Sequence, residues 1–111
     1  MNDIADMPII DRDHLARYTL GDVALEREVL GLFVDQIPET LGQLDGAGDD
    51  EERVRAAHTL KGSARAVGAK RLAEVAEEVE KAARERREIG DLRRALDMAC
   101  SDVRELIKAD C

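Results

Sequence analysis

Apolar residues recur along this chain at helical spacing, in segments separated by short polar breaks. The breaks fall at Gly21 and Asp22, at 45–50 (DGAGDD), at 67–70 (VGAK) and at 88–91 (EIGD), each mixing glycine with aspartate or another helix stop. Asp11 is placed to cap a short first helix over 12–19 and Asp22 a second over 23–44. In that second segment Leu30, Phe33, Val34, Ile37, Leu41 and Leu44 share one face, and Pro38, which lacks a backbone donor, predicts a kink. Asp49 and Asp50 open a third helix that reaches Val67. A fourth is predicted from Ala69 to Arg87, with Leu72, Val75, Val79 and Ala82 facing inward. Asp91 is placed to cap a fifth, with Leu92, Leu96, Ala99, Val103 and Leu106 on its inner face. Short turns leave no room for crossovers. The expected fold is therefore all-α: an up-and-down antiparallel four-helix bundle with a short additional N-terminal helix across one end. Gly31 and Gly42 are expected to permit close helix contact or to mark bends.

Composition narrows the field without naming a chemistry. The chain has 111 residues, enough for one domain over 1–111, and only Tyr18 and Phe33 are aromatic, so the core must be aliphatic. A net charge of −8 argues against nucleic acid or anionic membrane as the main partner. No apolar run approaches the roughly 20 residues of a membrane span. The N-terminal stretch MNDIADMPII is acidic where a secretory signal is basic, so a cytoplasmic location is expected. In that reducing compartment Cys100, on an apolar stripe, reads as a small buried hydrophobe, and Cys111 as idle.

One stretch is not explained by packing. In the third helix, EERVRAAHTLKGSARAVGAKR, a turn of about 100° per residue places Leu60, Ala57, Ala64 and Val67 together on an inner face. His58 then points to solvent. Lys61 lies about 60° from it on one side, Gly62 about 40° on the other, and Arg65 and Val54 within about 40°. Glycine inside a helix costs ~1 kcal/mol relative to alanine, and an exposed face has no packing need for it. Its effect is to clear space beside the imidazole. Residues 53–71 carry six basic side chains (Arg53, Arg55, Lys61, Arg65, Lys70, Arg71) and no acidic one, leaving −14 on the rest of the chain. A local positive patch suits a phosphate or an acidic protein surface. His14 has no comparable setting and reads as an ordinary surface residue.

The string AHTLKGSARAVGA followed by RLAEVAEEVE resembles the signature of histidine-containing phosphotransfer (HPt) domains. The shared features are the His-x-x-Lys-Gly core, the small residues around it, the Gly-Ala turn and the next helix opening with Arg-Leu. The string covers about a fifth of the chain, and the helix layout extends the likeness over nearly all of it. The resemblance implies a phosphocarrier of multistep His–Asp relays, without its own kinase or ATP-binding domain. His58 is then the phosphoryl acceptor, Lys61 the residue that neutralises phosphoryl oxygens, and Gly62 the clearance residue. Glu80 falls where relatives often carry a polar residue, commonly glutamine, bonded to the imidazole. Arg65 and Arg84 are implied contacts for the partner or the phosphate. The implied partners are response-regulator receiver domains and a hybrid histidine kinase, with magnesium held by the receiver and no cofactor held by this chain. A monomer is expected, because the chain has enough helices for a complete bundle.

The residue types fit that chemistry. A neutral imidazole nitrogen is a good nucleophile near pH 7, and phosphoryl transfer needs positioning and charge neutralisation more than covalent help. Val54, one turn before His58 and away from the core face, is expected on the docking surface. The alternative is an adaptor that binds a receiver or kinase without carrying phosphate, a role that does not require His58. A histidine kinase needs a nucleotide-binding domain for which 111 helical residues leave no space. A phosphatase acting on receivers would turn over label without retaining it. A metal-binding bundle needs Glu-x-x-His pairs, and the residues at that offset are Asp11 and Arg55.

Overall fold

A computed structural model describes residues 4–109. One 3-10 turn, Ile4–Asp6, precedes five α-helices: α1 (Arg12–Tyr18), α2 (Val23–Asp45), α3 (Asp50–Val67), α4 (Lys70–Arg84) and α5 (Gly90–Ala109). No strand occurs among the described residues. Three of the predicted caps are present. The side chains of Asp11, Asp22 and Asp49 accept from the backbone N–H of His14 (3.1 Å), Leu25 (3.1 Å) and Glu52 (2.8 Å). Each satisfies a donor that the first helical turn leaves orphaned.

The inner faces are those the periodicity marks. Leu30, Phe33, Ile37, Leu41 and Leu44 of α2 meet Ala57, Leu60, Ala64 and Val67 of α3 in one buried cluster. Leu72, Val75 and Val79 of α4 and Leu96, Ala99 and Val103 of α5 complete it. From α2 to α5 consecutive helices pack side by side, most extensively α3 on α4, α2 touches α5 to close the ring, and α1 packs on α3. With turns this short, each helix of the ring runs antiparallel to the one before. Arg93 of α5 adds a two-pronged pair to Asp45 at the end of α2 (Nε–Oδ1 2.7 Å, Nη2–Oδ2 2.8 Å), which holds the Asp45 carboxyl below its ordinary pKa. Cys100 is fully buried, and burial pushes its thiol up to about 11. Cys111 lies outside the described residues. No described helix is long and apolar enough to cross a membrane.

Several local expectations need correction. The fourth helix stops at Arg84 instead of Arg87. Arg86 takes a left-handed backbone (φ 57°), and the amides of Arg86 and Arg87 turn back onto the carbonyls of Ala83 and Ala82. Asp91 does not cap α5, which already includes Gly90; it sits in the first turn and pairs with Arg94. α2 stays helical from Val23 to Asp45 with the exposed Pro38 inside it, so the proline ends no helix there. Gly31 and Gly42 mark no close approach, since a Cβ at either would meet nothing within 4 Å.

His14 is not an idle surface residue. Its Nε2 donates to the carbonyl of Ala66 at 3.1 Å, and the Asp11 amide donates to the Gly68 carbonyl at 2.7 Å. Together they fasten α1 across the C-terminal end of α3. Gly68 is required there: its φ is +83°, and a Cβ would stand 2.9 Å from the Asp11 carbonyl oxygen.

Candidate functional site

His58 lies near the middle of α3, one helical face away from the core residues Ala57 and Leu60. Its side chain is 64% exposed. Antiparallel packing of α3 on α4 brings Glu80 beneath it. Glu80 is one of two buried polar residues among those described, at 4% exposure, and falls in register with the small residues Ala73, Ala76 and Ala83 of α4. Those alanines leave room for a carboxylate between the two helices.

Three cations or potential cations converge on that carboxylate. His58 Nδ1 is 3.3 Å from Oε2, and Arg84 Nη2 donates to the same oxygen at 2.6 Å. Lys61 Nζ is 2.6 Å from Oε1. The Lys61 contact lacks the angular alignment of a hydrogen bond, so Oε1 is buried with charge compensation but no aligned donor. Burial alone would raise the Glu80 pKa. The facing Lys61 and Arg84, with His58 behind them, overcome it and hold the carboxyl down to about 2. Glu80 is therefore ionised at neutral pH and can only accept. The His58 Nδ1 must then carry the hydrogen, which in the neutral ring leaves the lone pair on Nε2. Nε2 has no hydrogen-bond partner among the described residues.

The other residues singled out in the sequence fall around this cluster in different ways. Gly62 is exposed, and a Cβ there would meet nothing within 4 Å, so nothing in the chain's own packing calls for glycine. Val54 is half-buried and lines an open groove with Asp49, Asp50, Glu51, Ala83, Arg84 and Arg86. Arg65 is exposed and 3.5 Å from Glu77 on α4, one side removed from the carboxylate. Lys61 differs most from expectation. Instead of standing in solvent beside the imidazole, its side chain is 13% exposed and folded onto Glu80.

The positive patch is also weaker than the sequence suggests. Arg53 pairs with Asp50 (2.8 Å), Lys61 with Glu80, Arg65 with Glu77, Lys70 with Asp11 (3.9 Å) and Arg71 with Asp102 (3.6 Å). Most of those acids come from neighbouring elements. Net positive charge survives where two cations share one acid, at Glu80. Among the described residues no group of three or more His, Cys, Asp or Glu is placed to hold a metal ion. The sequence gives no sign that Arg86 lines the groove beside Val54 and Arg84, since its left-handed backbone carries no periodic signal.

A family model described as the Hpt domain matches residues 28–109, while no curated protein and no solved structure gives a significant match. The match supports a role in phosphorelay phosphotransfer, as a carrier rather than an enzyme. It takes in all but the first turn of α2 and the whole of α3, α4 and α5, the helices that build this cluster, and so the chain belongs to the Hpt domain family.

Proposed function

We propose that this chain is a monomeric, cytoplasmic phosphorelay intermediate that accepts a phosphoryl group on His58 from a receiver-domain aspartyl phosphate and passes it to another receiver aspartate. The observation that carries the reading is the His58–Glu80 contact: an exposed imidazole fixed by Nδ1 on a buried, ionised carboxylate, with Nε2 outward.

In the forward step the Nε2 lone pair attacks phosphorus in line. The N–P bond forms as the acyl O–P bond breaks, and the electron pair leaves on the receiver's carboxylate. The ring keeps its Nδ1 hydrogen and becomes cationic, balanced by Glu80, so no proton has to leave. Transfer onward is the same step reversed onto a second aspartate. Lys61 and Arg84 outnumber Glu80 by one charge, and that surplus favours the arriving phosphoryl oxygens. Gly62 leaves the approach open, and Val54, Arg65 and Arg84 border the partner's footprint. Magnesium belongs to the receiver in this reading, and the chain itself contributes no metal ligand to the step. A hybrid histidine kinase is the expected source of the phosphoryl group.

Transfer of label from phosphorylated receiver domains tests this. Wild type should acquire acid-labile, base-stable label, and His58→Gln should acquire none. Binding without label on wild type would replace this reading with the adaptor.

A further inference from the structure

A phosphorylated imidazole has a weakness that a free one lacks. With phosphorus on Nε2 and hydrogen on Nδ1 the ring is cationic, and onward transfer releases a neutral imidazole. If the Nδ1 hydrogen is lost to water first, the ring can leave only as an imidazolate, a far worse leaving group. An imidazolium ordinarily sheds a proton between about pH 5 and 8. A carrier whose loaded ring titrates in that range stalls with its phosphoryl group attached.

The surroundings of His58 bear on that loss. The side chain is 64% exposed, so water reaches the ring, but Nδ1 faces Glu80 Oε2 at 3.3 Å, and the Glu80 side chain is nearly buried. Lys61 and Arg84 each reach a carboxylate oxygen at 2.6 Å and keep it ionised, so Glu80 does not take the hydrogen for itself. Neither cation is bonded to the ring. The other charges nearby are answered or distant. Arg65 of α3 is paired with Glu77 of α4, and Glu78 and Lys81 of α4 line the hollow beside Lys61 with opposite signs. Glu51 and Arg55 lie one to two turns back along α3. The other helices packed on α3, α1 and α2, form no hydrogen bond or ion pair with His58 among the described residues. Glu80 is thus the one charged group bonded to the ring among those residues. The glutamine that relatives commonly carry would offer an oxygen of the same shape without the charge.

We infer that Glu80 is a positioning residue for the loaded carrier: its carboxylate retains the Nδ1 hydrogen of phosphorylated His58, and so keeps the phosphoryl group transferable into the alkaline range. In the onward step the Nε2–P bond breaks and its electron pair returns to Nε2. The P–O bond forms on the receiver's aspartate, and the Nδ1 hydrogen stays where it is. This inference rests on the phosphocarrier reading of His58 and adds to it the pH range over which the loaded form can discharge.

The test compares wild type with Glu80→Gln. His58 is loaded in both with phosphoramidate, a small donor that releases ammonia and needs no receiver. The Nδ1 nitrogen shift of the loaded ring is then followed by NMR from about pH 6 to 9; His14 is the chain's only other histidine. The ring pKa in wild type should stand at least about one unit above that in Glu80→Gln, the shift expected when an opposite charge is removed. Onward transfer to one receiver should lose rate with a midpoint displaced by the same amount. If Glu80→Gln does not fold, both proteins are compared in a Lys61→Met background. Equal ring pKa values, or a transfer rate lowered uniformly at every pH, overturn the inference, since a purely structural role predicts just that. If phosphoramidate loads His58 but no receiver does, the phosphocarrier reading fails, and the ring pKa values still decide the role of Glu80. An imidazole that neither donor loads overturns both.

Discussion

Lys61 and Glu80 form a nearly buried pair, Nζ to Oε1 2.6 Å, joining α3 to α4 directly beneath the exposed imidazole of His58. Removing one partner strands the other's charge in a poorly solvated place. Glu80→Gln keeps the shape and should lower unfolding free energy at pH 7 by about 3 kcal/mol, the cost of breaking a buried pair. Lys61→Met in the same background should recover much of that loss. Urea melts of the two single variants and the double variant give the coupling. Additive losses would show that the pair is not interacting.

The same carboxylate sets an acid limit. Its pKa falls from 4.5 to about 2 on folding, so the unfolded chain binds the proton more readily. The stabilisation is complete above about pH 4.5 and is lost as pH falls through about 2. The stability gap between wild type and Glu80→Gln should accordingly be constant from pH 5 to 7 and shrink toward pH 2, as roughly expected for a single depressed carboxylate. Denaturant melts across that range measure it. A gap that widens on acidification would contradict an ionised Glu80.

Gly62 and Gly68 lie six positions apart in one stretch of chain, yet alanine should act on them in opposite directions. Gly62 is helical and open, so Gly62→Ala should stabilise by up to ~1 kcal/mol. Gly68→Ala should destabilise by at least about 1–2 kcal/mol from the left-handed backbone alone, with the Asp11 carbonyl clash adding to it. A bulky side chain at the first site probes function separately. Gly62→Phe should remain folded and slow receiver-to-His58 transfer by about tenfold or more, since small misplacements at a reacting centre are that costly. Circular dichroism melts and transfer assays read the two effects; unimpaired transfer in Gly62→Phe would show that clearance there is irrelevant.

The sequence revealed the helices, the inward stripes and the His58–Lys61–Gly62 face, because all three depend on spacing along one element. It did not reveal where Lys61 goes. That depends on Glu80, which sits on another helix and had been singled out only by family resemblance. A physical signal was nonetheless available: Glu80 repeats the register of Ala73, Ala76 and Ala83, so a charge falls in a buried small-residue stripe. The basic run over 53–71 overstates the patch for a related reason: charge summed along one segment leaves out the acids that other segments bring to it. Glu77, Glu80, Asp102 and Asp11 answer it from across space. The role of His14 is not legible in the sequence because its acceptor, the Ala66 carbonyl, is 52 residues away and carries no side-chain identity to read.

Leu20 offers a stability test remote from the phosphotransfer site. It occupies the left-handed position after α1 with φ 56° and is 93% exposed. Asparagine tolerates that backbone far better than leucine and hides no less apolar surface. Leu20→Asn should raise stability by about 1 kcal/mol, seen as a higher melting temperature with an unchanged transfer rate. A lower melting temperature would mean that Leu20 packs in a way its exposure conceals.

The buried thiol of Cys100 provides a built-in clock for breathing of the bundle. With no exposed surface and a pKa near 11, it is shielded from alkylating reagents while α5 stays seated. In a Cys111→Ser background, the rate of maleimide capture at Cys100 would count the openings that lift α5 off its neighbours. Comparing that rate with and without phosphate on His58 would reveal whether loading the carrier tightens the far side of the molecule.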